Sequence, residues 1–549
     1  MNEKLWLKYY PENIPKQLEL TDTSLYDFLE NSANCYPDNE AILFLNHRLS
    51  YSQLKDRVDR FATALHKLGL QKGARVAIML PNCPQIVIAY YAMMRIGAIA
   101  VMINPLYTER ELTYQLKDCQ AEAILVLDQL QPKVTNMLQE VDIKLLITTS
   151  IQDYLAMDVS QPGVPIKSET GYLFEGLLAN AQPAPPEVTM DLANDLAVLQ
   201  YTGGTTGIVK GAMLTHKNLA DNVIQTRVWL NSCEEAKERF FCVLPFFHVF
   251  AMTTCMNLSV YLAASMILIP RLEALNLLKQ IEQYQPTVFQ GVPSLYVAVI
   301  SHPDVKKFDL SSIKFCLSGG APLPMEVQQN FEAITGATLV EGYGLTESSP
   351  VTHCNPISNM RINGSIGLPI PNTDIKIVDI ETGTKELPVG GVGELCIKGP
   401  QVMKGYWHMP EETAKSLRDG WLHTGDIAYI DDKGFTYIVD RKKDIVISLG
   451  YNVYPREVEE VLYEHPKVKE AAVIGVADRS RGEVIKAFVV LKEGAEARKE
   501  EIIKYCRQHL AQYKVPKQLE FRDELPKSTV GKVLRRVLVE EEKQLNDQD

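Results

Sequence analysis

The sequence predicts an α/β fold, with a large N-terminal domain of helix-flanked sheets, a small β-rich subdomain and a smaller α+β C-terminal domain. Three observations lead to this prediction. A chain of 549 residues is too long for one compact core. Up to about residue 430, helical patterns alternate with short apolar strands, as in parallel sheets covered by helices. From Pro371 onward short strands with Gly-rich turns appear, and after Asp440 a new α+β pattern begins.

Short apolar runs place the strands of the first part of the chain. They have the composition of buried strands and are separated by helical patterns. The predicted strands are Arg75–Leu80, Ala123–Leu127, Lys144–Thr148 and Met266–Ile269. The proline-rich stretch Gln182–Val188 predicts a connecting loop.

The longest apolar stretch runs from residue 86 to residue 103 and is interrupted by Arg95 and Gly97. A membrane span is one interpretation, but an unpaired arginine near mid-bilayer costs about 2.5–3.5 kcal/mol. Gly97 is well placed to end a helix, and Ala98–Ile103 then follows as a buried strand. We therefore predict two elements of a soluble core.

Two changes in the predicted pattern of secondary structure divide the rest of the chain. Short strands with Gly-rich turns are predicted at Asp374–Val378, Gly393–Ile397 and Tyr437–Val439. Strands at Lys467–Val476 and Ala487–Leu491 and an amphipathic helix at Lys499–Leu510 follow. The predicted domains are residues 1–440, with a β-rich subdomain at about 365–440, and residues 441–549.

Composition excludes some classes of function. A net charge of −12 argues against non-specific nucleic-acid binding, because a phosphate backbone requires a basic surface. The N-terminal residues lack the apolar core of a secretory signal. The ten cysteines form no C-x-x-C pair, so we expect reduced thiols in a cytoplasmic protein.

The segment from Tyr201 to Gly211 is the sharpest local signal. Glycines allow the backbone to approach an anion closely, threonine hydroxyls can donate to phosphate oxygens, and the lysine adds a positive charge. The candidate phosphate-binding residues are Thr202, Gly203, Gly204, Thr205, Thr206, Gly207 and Lys210. The spacing is not that of a Walker A loop. The plainer interpretation is a flexible turn.

This segment resembles the phosphate loop of the acyl-adenylate-forming superfamily, which includes acyl-CoA synthetases, luciferases and peptide-synthetase adenylation domains. It departs from the usual loop at Gly203, where serine is common, and at Val209, where proline is common. The resemblance continues in order along most of the chain.

Two further motifs are similar to the nucleotide-binding motifs of that superfamily. The turn Ser318–Pro322, with Gly319, Gly320 and Ala321, resembles its adenine-side turn. The run Glu341–Glu347, with Gly342, resembles the motif that follows. The resemblance implies that Tyr343 stacks on adenine, Thr346 contacts the α-phosphate and Glu347 holds Mg²⁺, roles that suit these side chains.

The C-terminal motifs also resemble those of the superfamily. Asp426 matches the ribose-binding carboxylate and Arg441 the ribose-contacting arginine, while Lys443 matches the hinge of a mobile C-terminal domain. The segment with Gly450 and Tyr451 resembles the lining of the pantetheine tunnel, although Leu449 stands where a second glycine is frequent.

Two last features concern catalysis and the acyl group. Lys532 matches the lysine that the superfamily uses in adenylation. His248 lies among aromatic residues, and a histidine in such surroundings is more often a packed core residue than a functional one. The resemblance implies instead that His248 is a gate at the acyl entrance. The candidate acyl-pocket residues are Phe247, Val249, Met252 and Gly291.

The resemblance implies a ligase that converts a long-chain fatty acid, ATP and coenzyme A, with Mg²⁺, into acyl-CoA, AMP and pyrophosphate. An aryl- or hydroxycinnamoyl-CoA ligase shares these motifs. A fatty acyl-AMP ligase would need a separate carrier protein, because few residues follow Lys532. A non-catalytic acyl-nucleotide sensor is the fourth alternative. Peripheral membrane contact and a homodimer stay open.

Overall fold

The computed structural model describes residues 4–152, 164–202, 209–270, 273–358, 360–448, 451–478, 482–528 and 531–546. Its internal contacts divide the chain into two compact units. The larger unit comprises Tyr9–Asp374 and Lys398–Leu422. The smaller unit comprises Met1–Lys8, Ile375–Ile397 and His423–Asp549. The predicted α/β fold with an α+β C-terminal part is confirmed.

A seven-stranded sheet forms the centre of the larger unit. Its strands, in spatial order, are Tyr172–Leu173, Leu145–Thr149, Ala123–Leu127, Arg75–Met79, Ile99–Met102, Leu196–Thr202 and Lys210–Thr215. Neighbouring strands run parallel except for the last pair, which is antiparallel. The strands are apolar on both faces because helices cover both sides of such a sheet.

Two four-stranded sheets complete the larger unit. The first contains Arg239–Cys242, Ser265–Leu268, Glu40–Phe44 and His47–Ser50 in this order. The second contains Phe315–Ser318, Thr338–Gly344, Val351–Cys354 and Leu368–Pro369. Val288 bridges to a strand of each sheet. A short strand, Leu417–Arg418, pairs with residues 421–422.

The helices of the larger unit connect and cover these sheets. They are Leu25–Cys35, Tyr51–Lys67, Pro84–Ile96, Glu109–Cys119, Gln131–Met137, Phe174–Asn180, His216–Trp229, Val249–Ala251, Leu258–Tyr261, Ala274–Tyr284, Pro293–Ile300, Met325–Thr335 and Pro410–Ser416. A π-helical stretch, Met252–Asn257, joins two of them. Several begin with a serine or threonine cap, as at Ser24, Ser50 and Thr215.

The apolar stretch from residue 86 folds as predicted. The helix Pro84–Ile96 is buried at nearly every position, Gly97 ends it with a left-handed φ of 68°, and Ile99–Met102 follows as a strand. No helix in the described part of the chain has both the length and the apolarity to cross a bilayer.

The smaller unit contains two sheets. The first has the strands Asp374–Val378, Gly393–Lys398, Trp421–Ile430 and Thr436–Arg441. The second has the strands Tyr451–Val453, Val446–Ser448, Gly482–Leu491 and Val468–Asp478, with Gln518–Phe521 beside Gly482–Leu491. Its helices are Pro455–Tyr463, Lys499–His509 and Arg535–Asn546. The predicted strands and the helix of this region are thus present, longer or shorter by a few residues.

The division into units follows a different line from the predicted boundary at residue 441, which stays a prediction. The β-rich residues 375–397 and 423–440 group with the C-terminal residues. Hydrogen bonds that cross residue 441 account for this grouping. Asp440 Oδ2 accepts from the Arg456 backbone N–H at 2.7 Å, and the Arg456 guanidinium donates to the Ile438 carbonyl at 2.8 Å.

Most of the cysteines lie in the core of the protein. None of the ten forms a disulfide, and nine are buried, with only Cys35 exposed. Burial raises the pKa of the Cys83 thiol to about 12, so this thiol stays protonated and unreactive at neutral pH.

Candidate active site

The candidate phosphate loop lies between two paired strands. Thr202 ends one strand of the seven-stranded sheet and Lys210 begins the antiparallel edge strand, so the two residues face each other. Thr202 Oγ1 donates to the Lys210 carbonyl at 3.4 Å. Gly203, Gly204, Thr205, Thr206 and Gly207 lie outside the described residues. A loop closed at both ends by one strand pair has a fixed base, which suits an anion-binding turn.

Lys210 has a carboxylate partner that is distant in sequence. Its Nζ donates to Glu412 Oε2, on the helix Pro410–Ser416, and lies 5.0 Å from the centre of the Tyr406 ring. The segment that carries these partners runs along the lysine's own strand. Met213 N–H donates to the Gly405 carbonyl at 2.9 Å, and Trp407 N–H donates to the Gly211 carbonyl at 2.8 Å.

Thr346 and Glu347 lie on a short 3₁₀ turn that follows the strand Thr338–Gly344. Leu345 N–H donates to Ser348 Oγ at 3.1 Å, and Ser348 Oγ donates to the Pro350 carbonyl at 2.7 Å. A side chain at position 344 would collide with that same carbonyl, so the turn requires glycine there. The turn thus holds the candidate metal ligand in a constrained position.

The same segment that supplies the partner of Lys210 also holds Glu347. The Tyr406 phenol donates to Glu347 Oε1 at 2.7 Å, and the Glu347 carbonyl accepts from Met403 N–H at 2.8 Å. Burial, with the nearby Glu347 charge, raises the pKa of Tyr406, so the phenol remains a donor. One tyrosine therefore lies between the two charged candidate residues Lys210 and Glu347.

Tyr343 is half-buried and lies near the end of the strand Thr338–Gly344. Its ring packs edge-on against His353 of the neighbouring strand, with centroids 5.8 Å apart. His353 is completely buried, and burial lowers its pKa to about 3, so it supports the tyrosine as a neutral ring. At Gly342, an added side chain would meet Leu317.

Gly319, Gly320 and Ala321 form a turn at the end of the strand Phe315–Ser318. Gly320 has a left-handed φ of 77°. A methyl group on Gly319 would lie 3.1 Å from the Phe250 ring, so that ring lies directly against the turn. Phe250 is therefore a neighbour of the candidate adenine turn that motif spacing does not reveal.

His248 caps the helix that carries the candidate acyl-pocket residues. Its Nδ1 accepts from Phe250 N–H at 3.3 Å, and its carbonyl accepts from Met252 N–H at 3.0 Å. Val249 and Met252 are buried, while Phe247 is half-buried with its carbonyl bonded to Gln200 at 2.9 Å. This capping role is independent of any role as an acyl gate.

Gly291 faces a tyrosine rather than an open space. A methyl group there would lie 2.7 Å from Tyr296 Cζ. Tyr296 is completely buried, and its hydroxyl lies 3.0 Å from the Phe289 carbonyl and 3.1 Å from the Leu317 carbonyl. The small residue at position 291 thus makes room for the Tyr296 side chain, which was not expected.

In the smaller unit, Asp426 and Arg441 face each other on paired strands. Arg441 Nε lies 3.4 Å from Asp426 Oδ1, and the carboxylate side chain is 7% exposed. Thr424 Oγ1 accepts from Asp426 N–H at 3.0 Å and donates to the Leu395 carbonyl at 2.8 Å. The Thr424 bonds fix the backbone at Asp426, and Arg441 is the charged neighbour of its carboxylate.

Lys532 lies in a charged cluster with these residues. Burial, together with the nearby Arg441 charge, lowers its pKa to about 7, while the Asp426 charge opposes this shift. Its loop is closed locally, since Ser528 Oγ accepts from Lys532 N–H at 3.1 Å. Lys443 belongs to the same cluster, and burial lowers its pKa too. Gly450 lies outside the described residues, and Tyr451 begins a strand.

Arg535 holds this cluster in place. Its guanidinium donates to Glu459 at 2.5 and 3.1 Å, to Asp440 at 3.3 Å and to Asp444 at 3.2 Å. It follows Lys532 by three residues and begins the helix Arg535–Asn546. The bonds to Asp440 and Asp444 therefore link the Lys532 loop to both sides of Lys443.

Sequence reasoning missed Tyr406, Glu412 and the part played by Phe250 and Arg535. Tyr406 and Glu412 follow Lys210 by about 200 residues in a segment without a nucleotide-binding pattern. No local signal identifies them, because their contacts arise from strand pairing between distant segments. Phe250 and Arg535 lie close in sequence to His248 and Lys532, but spacing does not say which neighbour a ring or guanidinium meets.

Glu347 suits a nucleotide-bound Mg²⁺. Among the described residues, no group of three or more histidine, cysteine or acidic side chains forms a metal site. Mg²⁺ commonly uses one or two protein carboxylates, together with waters and substrate phosphates. Tyr406 holds Glu347 Oε1, and Oε2 has no hydrogen-bond partner in the described part of the chain.

Comparison with known proteins agrees with these features. The AMP-binding enzyme family matches residues 29–407, and the AMP-binding enzyme C-terminal domain matches residues 457–532. A long-chain-fatty-acid–CoA ligase of Bacillus subtilis is 49% identical over 98% of both chains. The Salmonella typhimurium enzyme of the same name is 40% identical over 98% of both chains.

A solved structure has the same fold. ATP-bound MatB from Rhodopseudomonas palustris matches with a TM-score of 0.85 at 31% identity, over 95% of this chain and 99% of that one. The family matches, the curated relatives and this structure agree along nearly the whole sequence. The chain therefore belongs to the AMP-binding enzymes, the acyl-adenylate-forming superfamily, and within it to the long-chain fatty acyl-CoA synthetases.

Proposed function

We propose that this protein activates a long-chain fatty acid with ATP, forming an acyl-adenylate and pyrophosphate, and then transfers the acyl group to coenzyme A with release of AMP. The observation that carries the proposal is the cluster of Lys532, Asp426 and Arg441, which unites an amine with a carboxylate and a guanidinium suited to ribose. The 49% identical Bacillus subtilis relative supports the substrate class.

In the first half-reaction, the fatty carboxylate attacks the α-phosphorus of ATP. A carboxylate is already ionised at neutral pH, so this step needs no general base. Two anions must approach each other, and compensation of their charge is the main catalytic task. We assign this task to Lys532 at the reacting carboxylate and α-phosphate, with Thr346 as a donor to the α-phosphate.

The nucleotide is held at three places. The loop from Thr202 to Lys210 receives the β- and γ-phosphates, Tyr343 and the Gly319–Ala321 turn receive adenine, and Asp426 accepts from the ribose hydroxyls with Arg441 beside it. When bound, Mg²⁺ supplies charge neutralisation of the triphosphate. Glu347, which the Tyr406 hydroxyl orients, would hold the ion.

In the second half-reaction, the pantetheine thiol attacks the acyl-adenylate carbonyl and AMP leaves. We assign Gly450 and Tyr451 to the thiol channel and Lys443 to the hinge at which the chain reorients between steps. We assign the acyl tail to Phe247, Val249 and Met252, with His248 at its entrance; the place of Gly291 in this pocket stays a prediction from the sequence. A cytoplasmic location, peripheral membrane contact and a homodimer stay predictions.

The test is AMP release with ATP, Mg²⁺ and coenzyme A, across fatty acids from butyrate to oleate, with coumarate and benzoate as aromatic controls. We expect CoA-dependent AMP release that is greatest with long aliphatic acids and strongly reduced in Lys532→Ala. A preference for aromatic acids would contradict the substrate class. AMP release that is indifferent to coenzyme A would indicate a carrier-protein acceptor, and binding of ATP without turnover would indicate a sensor.

A further inference from the structure

Glu412 meets Lys210 at the base of the candidate phosphate loop. The lysine donates to Glu412 Oε2, and the two side chains are only 16% and 33% exposed. Lys415, one helical turn further on, also donates to Glu412, at 2.6 Å. The hydrogen bond from Lys210, reinforced by Lys415, lowers the pKa of the Glu412 carboxyl, so Glu412 is an anion throughout the neutral pH range.

The backbone fixes this pairing. Residues 404–407 run along the strand Lys210–Thr215, and Ala212 and Tyr406 form a β-bridge. Lys404 N–H donates to the Met213 carbonyl at 3.0 Å. Tyr406 N–H then donates to Thr413 Oγ1 at 2.8 Å, which ties the strand-like segment to the helix of Glu412. Glu412 is therefore positioned by the fold, unlike a lysine–glutamate pair between two freely moving surface side chains.

The pair also lies next to the candidate metal ligand. Lys210 Nζ lies over the ring of Tyr406, whose hydroxyl holds Glu347. Lys210 and Glu347 are the two charged groups that we assign to the triphosphate and its Mg²⁺. Glu412 therefore bonds directly to the lysine that we assign to the phosphates.

We propose that Glu412 is a positioning residue that occupies Lys210 in place of the β- and γ-phosphates. It bonds to Lys210 when no nucleotide is bound, releases the lysine when ATP binds, and bonds to it again as pyrophosphate leaves. This inference rests on the proposed function, and it assigns a role to a residue outside the nucleotide-binding motifs. The carboxylate competes for the lysine and so weakens the binding of ATP and of pyrophosphate. AMP lacks the β- and γ-phosphates, and its affinity does not depend on Glu412.

The physical reason is competition between anions. A lysine ammonium is a compact charge, and a carboxylate and a phosphate oxygen close to it repel each other. An ionised Glu412 must move away or lose part of its bond to Lys210 when the triphosphate arrives. After the α-phosphate has reacted, the same carboxylate favours departure of pyrophosphate and bonds to Lys210 again.

The test compares Glu412→Gln with Glu411→Gln. Glutamine keeps the size and hydrogen-bonding capacity of Glu412 but removes its charge, and Glu411 is the exposed neighbouring residue that does not bond to Lys210. We measure the Kd of ATP, pyrophosphate and AMP with Mg²⁺ by titration calorimetry on the full chain. We expect Glu412→Gln to tighten ATP and pyrophosphate binding about three- to tenfold and to leave AMP unchanged. Glu411→Gln should leave all three nearly unchanged.

A double-mutant cycle with Lys210→Gln separates this role from a general change in surface charge. In the Lys210→Gln protein, Glu412→Gln should no longer tighten ATP or pyrophosphate binding. Weaker ATP binding in Glu412→Gln, an equal gain for AMP, or the same gain in Glu411→Gln would overturn the inference. A purely structural role predicts a lower thermal midpoint and no selective gain for pyrophosphate.

Turnover distinguishes this inference from the proposed function. Pyrophosphate should inhibit AMP release more strongly in Glu412→Gln than in the unchanged protein. Selective binding changes without turnover of any fatty acid would overturn the proposed function and retain the inference. Normal turnover with unselective binding changes would overturn the inference alone.

Discussion

The Tyr406 hydroxyl donates a hydrogen bond of 2.7 Å to Glu347 Oε1, which joins a segment near residue 400 to the motif assigned to Mg²⁺. Burial raises the pKa of this phenol and keeps it protonated, so the bond persists across the neutral pH range. Loss of a group that orients a metal ligand typically lowers metal affinity about 10- to 100-fold. Tyr406 is therefore part of the candidate site although it belongs to none of its motifs.

Tyr406→Phe should weaken the binding of Mg²⁺ without removing activity. The substitution removes only the hydroxyl, so Glu347 loses its orientation but remains present. We expect about a tenfold rise in the Mg²⁺ concentration that gives half-maximal AMP release. Tyr437→Phe is the matched control, since that hydroxyl also donates to a carboxylate, Asp431, at 3.2 Å. An unchanged Mg²⁺ requirement in Tyr406→Phe would mean that Glu347 is oriented by other contacts.

Lys532→Ala should separate the two half-reactions. Removal of the ammonium should slow adenylate formation about 10²–10³-fold, because the developing negative charge loses its partner. Thioester formation from supplied acyl-adenylate and coenzyme A should continue. Pyrophosphate exchange measures the first step and thioester release from acyl-adenylate the second. Equal losses in both would contradict this division of labour.

The pH dependence of adenylation should report Lys532. The protonated amine is the active form, and its pKa in the free enzyme is about 7. The value of kcat/KM for ATP should therefore be constant below pH 7 and fall about tenfold per pH unit above it. Bound anionic substrates favour the ammonium, so kcat should decline only at higher pH. In Lys532→Arg, which keeps its charge, residual activity should lack the inflection near pH 7.

The ionisation of Lys532 should also make the free energy of unfolding depend on pH, in a direction that its two pKa values fix. The pKa of lysine in an unfolded chain is about 10.4, against about 7 in the folded protein. Between these values the unfolded state binds more protons, so stability rises with pH. The cost of burying Lys532 is full below pH 7 and absent above about pH 10.4. Lys532→Met should raise the thermal midpoint at pH 6 and leave it unchanged at pH 11, and an equal rise at both would argue against the depressed pKa.

Asp426→Asn should weaken nucleotide binding through the ribose. An ionised acceptor of hydroxyl protons contributes more than a neutral amide, and we expect about a 10- to 100-fold higher Kd for ATP. The unchanged protein should bind 2′-deoxy-ATP more weakly than ATP, and Asp426→Asn should lose most of that discrimination. Asp432→Asn, an exposed carboxylate on the adjoining turn, is the control. Retained discrimination in Asp426→Asn would assign ribose recognition elsewhere.

Gly291→Ala tests whether position 291 serves packing or chain-length selection. The added methyl group would lie 2.7 Å from Tyr296 Cζ, and such overpacking costs about 1–3 kcal/mol. We expect a thermal midpoint lower by about 1–4 °C and an unchanged order of preference among fatty acids. Combination with Tyr296→Leu should cost less than the sum of the two single changes. A shift toward shorter acids in Gly291→Ala would instead place position 291 in the acyl pocket.

The sequence by itself determined the elements and the order of the motifs. Gly97 ends its helix as predicted, and the strand Ala123–Leu127 has the predicted bounds. These features depend on apolar periodicity and on backbone freedom at glycine, which act within a few residues. The motif order then led to the superfamily, which the relatives confirm.

Only the tertiary structure decided which side chains meet. Glu412 reaches Lys210 across 202 positions, and Tyr296 fills the space at Gly291. Residues 375–397 and 423–440, which include Asp426, group with the C-terminal residues rather than with the larger unit. The depressed pKa of Lys532 likewise depends on burial and on the Arg441 charge, both of which arise only when distant segments pack together. Strand pairing and side-chain packing between distant segments create these relationships, and neither leaves a periodic signal along the chain.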